Sequence, residues 1–175
     1  MDRIEKLFSK LDDKTDCALI TSDINRRYFT GMKSSAGCLV VFREKAYLLI
    51  DFRYIEKARN TVKNAEVIEQ TDFINQLKEL LEKHNAKNIA IEAETMTVKE
   101  LSLYKSKLSE YSFIEDNNLS SAINLLRSVK DEKEIGYIPE GQIVHAQCVF
   151  KNVNFAPGRY YVTLYVGTHH QTFDY

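Results

Sequence analysis

The sequence predicts an α/β domain: a mixed six-stranded sheet flanked by helices. Short apolar runs of strand length alternate with segments whose apolar residues recur at i, i+3, i+4 and i+7. Two of the runs, "GCLVVF" and "AYLLID", are separated only by the charged Arg43-Glu44-Lys45. That short polar gap reads as a hairpin and makes one strand pair antiparallel. Six strand runs with interleaved helical ones argue for a mixed sheet packed between helices.

Taken in order, residues 2–12 put Ile4, Leu7, Phe8 and Leu11 on one helical face. "DCALIT" (16–21) reads as a short buried strand. Ser22 or Asp23 can cap the next helix, which carries Tyr28 and Phe29 and stops at Gly31. After the hairpin, Asp51 stands where a strand ends and a helix over 52–61 begins, and its carboxylate suits that helix N-terminus. "AEVIE" is a strand, and residues 72–84 repeat Phe73, Leu77, Leu80, Leu81 and His84 at helical spacing. "NIAIEA" follows as a strand. Thr97 and Glu100 make a capping box for a helix over 97–109 with Val98, Leu101 and Leu108. "SFIED" is the sixth strand. Asn118 caps a helix through Leu119, Ile123, Leu126 and Val129, and Asp131 with Glu134 starts another.

Composition narrows the function classes. Lys and Arg number 24 against 25 Asp and Glu, so no net basic charge argues for nucleic acid. No apolar run reaches the roughly 18 residues of a membrane span, and "MDRIEKLF" lacks the apolar region of a signal peptide. Cys17, Cys38 and Cys148 are odd in number and far apart, which reads as reduced thiols in a cytoplasmic protein. Composition shifts after about residue 135. The last 40 residues hold four of the 49 charged residues, but both prolines, three of four histidines and half the tyrosines. Such a tail packs on something, belongs to another unit, or is not a native ending.

The stretch "NRRYFTGMKSSAGCLVV" (25–41) places small residues ahead of a strand. A phosphate cradle needs GxGxxG opening a helix, and Gly31 and Gly37 are six apart with a strand following. A nucleophile elbow needs GxSxG, which Ser34 and Ser35 do not fit. The plain reading is a tight helix-to-strand connection. Asp51, Arg53 and Tyr54 read as a helix start with an ion pair, and Tyr28 as a core aromatic with its hydroxyl paired. Glu92 and Glu94 read as a strand-end surface pair rather than an acid/base couple. His84 reads as a helix C-terminal charge or a partly exposed residue. His169 and His170, adjacent and on opposite faces of any strand, make an awkward metal pair even with His145 or Asp174.

Four pieces in this order also resemble the N-terminal domain of the creatinase/prolidase family, which precedes the catalytic "pita-bread" domain of Xaa-Pro aminopeptidases and dipeptidases. They are Asn25, Tyr28 and Gly31 before a strand; Asp51, Arg53 and Tyr54 after the next; Ile91 and Glu92 ending a later one; and Leu126, Arg127, Lys130, Glu134 and Ile135 at the linker. The resemblance implies residues 1–130 as that domain, 131–158 as linker and remnant of the first catalytic-domain helix, and 159–175 as an unassigned tail. Pro157 and Gly158 match a turn of that helix, but Tyr160 and Tyr161 stand where Thr-Glu is expected, and Pro139 falls early in the helix. It also implies that the chemistry lies elsewhere: two divalent ions (manganese, otherwise zinc or cobalt) in a catalytic domain activate water for peptide hydrolysis. This chain is then expected to be inactive alone, a homodimer contributing oligomer contacts and active-site gating. Peptide substrate is expected only in the full-length enzyme, with neither nucleic acid nor membrane as a partner. By resemblance, Met32, Lys33, Ser34 and Ser35 form a loop towards the partner subunit's active site. A stand-alone interaction module derived from the domain is the alternative.

Overall fold

A computed structural model describes residues 3–130 and two short strands, 166–168 and 171–173. The chain divides into two compact units, Met1–Gly136 and Tyr137–Tyr175. In the second, β7 (Val166–Thr168) and β8 (Gln171–Phe173) pair antiparallel; the elements numbered 1 to 6 belong to the first unit. Linker residues 131–158, the turn at Pro157 and Gly158, and all three tail histidines lie outside the described residues.

The first unit runs α1 (Arg3–Phe8), β1 (Cys17–Ile20), α2 (Asp23–Thr30), β2 (Cys38–Phe42), β3 (Ala46–Ile50) and a 3-10 turn (Phe52–Tyr54). It continues with α3 (Ile55–Thr61), β4 (Glu66–Glu69), α4 (Phe73–Lys83), β5 (Asn88–Ile91), α5 (Val98–Lys107), β6 (Ser112–Ile114) and α6 (Asn118–Ser128). The six strands form one mixed sheet in the order β4-β3-β2-β1-β5-β6. β2 is antiparallel to both neighbours and every other pairing is parallel. All strands but β2 therefore end at the same edge of the sheet.

Alternation along the strands sorts side chains onto two apolar faces. Ala18, Ile20, Leu39, Val41, Leu48 and Ile50 pack with Leu7, Phe29, Ala58 and Ile123, from α1, α2, α3 and α6. Cys17, Leu19, Val40, Tyr47, Leu49 and Ile89 pack with Leu77, Leu80 and Leu81 of α4. The central strands are buried on both sides, which is why β1, β2 and β3 read as continuous apolar runs.

Several element ends move from their expected places. α1 stops at Phe8 rather than residue 12, yet Leu11 still buries into the core. Ser22, not Asp23, caps α2, its hydroxyl accepting from Asn25 N. A single 3-10 turn precedes α3, with the Asp51 carboxylate accepting from Arg53 N. The capping box of Thr97 and Glu100 forms with both of its hydrogen bonds. α6 begins one residue earlier than read, and the Asp116 carboxylate accepts from Asn118 N at 3.0 Å.

Candidate functional site

The carboxyl edge of the sheet gathers most of the polar residues singled out from sequence. From β1 the chain moves left through β2, β3 and β4, then returns to add β5 and β6 on the right. Open α/β sheets bind ligands at such a reversal point, outside the carboxyl ends of the two strands that flank it. Here that point lies between β1 and β5, and a crevice of about 140 Å³ occupies it, lined by Ser22, Asn25, Glu92, Glu94, Ser120 and Arg127 among others.

The chain fills this position with its own anion. Glu92 is 1% exposed. Its carboxylate accepts from Thr21 N at 2.6 Å, Ser22 N at 2.8 Å and Asn25 Nδ2 at 2.6 Å. The charge thus sits at the N-terminal end of α2, where backbone N–H groups and the helix dipole favour an anion. Asn25 turns its Oδ1 outward to accept from Arg127 Nη1 at 3.1 Å. Glu92 is therefore no surface residue, contrary to the sequence expectation; Glu94 alone is exposed, and it accepts from Asn117 and Asn124. The partners of Glu92 lie about seventy residues away in sequence, so no local pattern reveals its burial.

The signature residues divide into two groups. Asn25 and Tyr28 of α2 hold the last turn of α6, through Arg127 and through the Tyr28 hydroxyl, which donates to Leu126 O at 3.0 Å. The second group fixes the connection from α2 to β2. Gly31 closes α2 at φ +72°, its N–H donating to Arg27 O at 2.8 Å. Met32 is 2% exposed and belongs to the core. Ser34 is buried, and its carbonyl accepts from Arg26 Nη2 at 3.1 Å. The Ser35 and Tyr54 hydroxyls bond at 2.7 Å, which draws the Tyr54 hydroxyl below its ordinary pKa, helped by nearby Arg53. Arg53 Nε donates to Asp51 at 2.7 Å, holding that carboxyl below its usual range. Gly37 at φ +115° has no room for a side chain, since a Cβ would stand 2.7 Å from Leu49 O. Of the four loop residues named from sequence, Met32 and Ser34 are anchors, and Lys33 and Ser35 are exposed.

A second crevice, of about 390 Å³, opens beside this loop. Thr21, Arg26, Ser35, Gly37, Gln70 and Tyr104 are among its lining residues. The sequence pair Arg26-Arg27 splits here: Arg27 is exposed, whereas Arg26 is 3% exposed.

At the opposite edge, His84 caps the C-terminus of α4, half-buried. Its ring stacks on Phe42 with centroids 4.0 Å apart, and Nε2 lies 2.9 Å from the Tyr47 hydroxyl. Burial, reinforced by Lys83 and Lys45, pushes its pKa down. Of the two readings made from sequence, the structure has the partly exposed residue at the helix end, packed on Phe42 in surroundings that favour the neutral imidazole. Among the described residues no group of three or more His, Cys, Asp or Glu is placed to hold a metal ion. None of their helices is long and apolar enough to cross a membrane.

Comparison with known proteins agrees with this architecture. The model of the Creatinase/Prolidase N-terminal domain matches residues 3–129. The uncharacterized peptidase YqhT of Bacillus subtilis (strain 168) is 31% identical over 141 residues, 80% of this chain and 38% of that protein. A putative Xaa-Pro aminopeptidase of Mycoplasma pneumoniae is 36% identical over 59% of this chain and 29% of its own length. The chain thus spans well under half of the curated relatives it matches. Among solved structures, the X-Pro aminopeptidase of Thermotoga maritima superposes with TM-score 0.69 at 28% identity, covering 79% of this chain and 39% of that one. The N-terminal domain of the cytoplasmic peptidase PepQ of Mycobacterium tuberculosis gives TM-score 0.63 at 25% identity, over 71% and 98%.

Proposed function

The chain belongs to the creatinase/prolidase N-terminal domain family, and on that premise we propose that residues 3–129 serve a cytoplasmic Xaa-Pro peptidase-type metallohydrolase as its non-catalytic domain. In this reading the domain makes homodimer contacts and presents the loop Met32–Ser35 to the partner subunit's peptide cleft, gating access. The divalent metal ions, manganese or otherwise zinc or cobalt, and the water they activate belong to a catalytic domain outside the matched residues.

The observation that carries this reading is the build of the loop. Met32 and Ser34 are buried, Gly37 is confined by Leu49 O, and Ser35 is tied to Tyr54, so the exposed Lys33 projects from a fixed backbone. A cation held that way can meet a substrate carboxylate with little ordering cost. The purified chain with Mn²⁺ is expected to leave an Xaa-Pro dipeptide intact and to sediment as a dimer; hydrolysis, or a monomer at all concentrations, would overturn the respective half of the reading. Fused ahead of the catalytic half of the Thermotoga maritima enzyme, the domain tests the loop. There Lys33→Ala is expected to lower kcat/KM for an Xaa-Pro peptide by about tenfold, the scale of one charge-assisted contact, and an unchanged kcat/KM contradicts gating by this loop.

A further inference from the structure

The crevice beside the loop holds a buried cation whose hydrogen bonds go to backbone carbonyls and not to a carboxylate. Among the described residues the Arg26 guanidinium donates to backbone carbonyls alone, Nη1 to Thr21 O and Nη2 to Ser34 O at 3.1 Å, and its Nε–H has no acceptor. No ion pair joins it to a carboxylate among the described residues. A guanidinium stays charged in a protein, and a buried charge lacking an ionic partner is costly.

Burial draws the Arg26 pKa down, and the nearby Asp23 and Glu92 carboxylates oppose that only through space, neither forming an ion pair with it among the described residues. Cys38 lines the same crevice, but burial pushes its thiol well above the normal range, so it stays protonated. Glu92 is spent on its three N–H donors at the other crevice. Glu100 stands at the exposed rim with Oε2 committed to Thr97, whose N and Oγ1 lie 2.9 and 2.6 Å away. Between these polar groups the crevice has apolar walls, Phe73 and Ile74 from α4 and Leu103 and Tyr104 from α5, with Leu103 49% exposed.

We propose that this crevice is a binding site for a small monocarboxylate with an apolar body, the carboxylate pairing with Arg26 and the body lying between α4 and α5. The C-terminal residue of a peptide and a free N-acylated amino acid share that chemistry. The rim carboxylate of Glu100 disfavours a dianion such as phosphate. Because Arg26 also holds Ser34 O, a ligand here shares its cation with the anchor of the loop.

The test is titration of the full chain, followed by amide NMR shifts, with N-acetyl-leucine, N-acetyl-leucine amide and inorganic phosphate. The acid is expected to bind at least about tenfold more tightly than either the amide or phosphate, the scale of a charge-assisted pair, with shifts at Ser34, Ser35 and Leu103. Acid and amide within about twofold, phosphate as tight as the acid, or no saturable shift at all, each overturns the proposal. Arg26→Met should abolish the preference for the acid. Should that buried substitution unfold the domain, Leu103→Glu, on a half-exposed residue, is the second test. It leaves the fold intact and should weaken the acid at least about tenfold by like-charge repulsion; wild-type affinity in Leu103→Glu contradicts the site.

Discussion

The two crevices at the carboxyl edge draw on adjacent residues of α2 and treat a buried charge in opposite ways. At the first, Glu92 is an anion with three N–H donors at a helix N-terminus, relayed through Asn25 to Arg127. At the second, Arg26 is a cation with two carbonyls, an Nε–H that has no acceptor among the described residues, and carboxylates, Asp23 and Glu92, that reach it only through space. The first arrangement is closed: the place where related architectures take a ligand is taken by the protein's own side chain, and α2, β5 and α6 are fastened together by it. The second is open, with unmet hydrogen-bonding capacity beside a loop. A buried charge is therefore fully hydrogen-bonded in one crevice and only partly so in the other, and its partners, not its burial, decide which.

The largest effect should come from the fastening. Glu92→Ala leaves two backbone N–H groups and the Asn25 amide without their acceptor, and is expected to lower unfolding free energy by about 3 kcal/mol in a urea titration. A loss under about 1 kcal/mol would mean that the carboxylate is not the hub of that crevice. The loop tests the other side. Gly37→Ala forces a Cβ onto Leu49 O at positive φ and should cost about 2 kcal/mol or more. Gly31→Ala, at φ +72° but with open space around it, should cost only about 1 kcal/mol. Equal values would show that the loop is not confined at its β2 end. Tyr28→Phe removes the hydrogen bond to Leu126 O and should cost about 1 kcal/mol, with α6 amides exchanging faster.

The smallest effect lies outside both crevices. The folded pKa of His84 is depressed by burial, so the unfolded chain binds the proton more readily. Stability from this group is present above the unfolded value near 6.5 and declines as pH falls below it. His84→Gln should flatten that part of the stability profile, and an unchanged slope would place the pH dependence elsewhere.

Much of this was readable from sequence where the signal is local. The order of elements, the hairpin at Arg43–Lys45 and the capping box at Thr97 each rest on a few neighbouring residues, and the structure has them all. The motif pieces placed the family. What sequence does not disclose is long-range polar pairing. Glu92 looked like a surface carboxylate because strand ends usually are; its donors come from β1 and α2. Arg26 and Arg27 looked alike, and only the path of α2 buries one and exposes the other. His84 kept its helical position, but packing against Phe42 and Tyr47 across the sheet half-buries it, and that burial lowers its pKa.

The contrast between the crevices reduces to one paired measurement, the unfolding free energies of Glu92→Ala and Arg26→Met under the same conditions. The account predicts a loss of about 3 kcal/mol for the first and a smaller one, about 1 kcal/mol, for the second, since Arg26→Met strands the Thr21 and Ser34 carbonyls but also removes the desolvation cost of a cation that has no ion pair among the described residues. Equal losses, or a larger one for Arg26→Met, would show that Arg26 is as fully compensated as Glu92, and would contradict the division into a closed crevice and an open one.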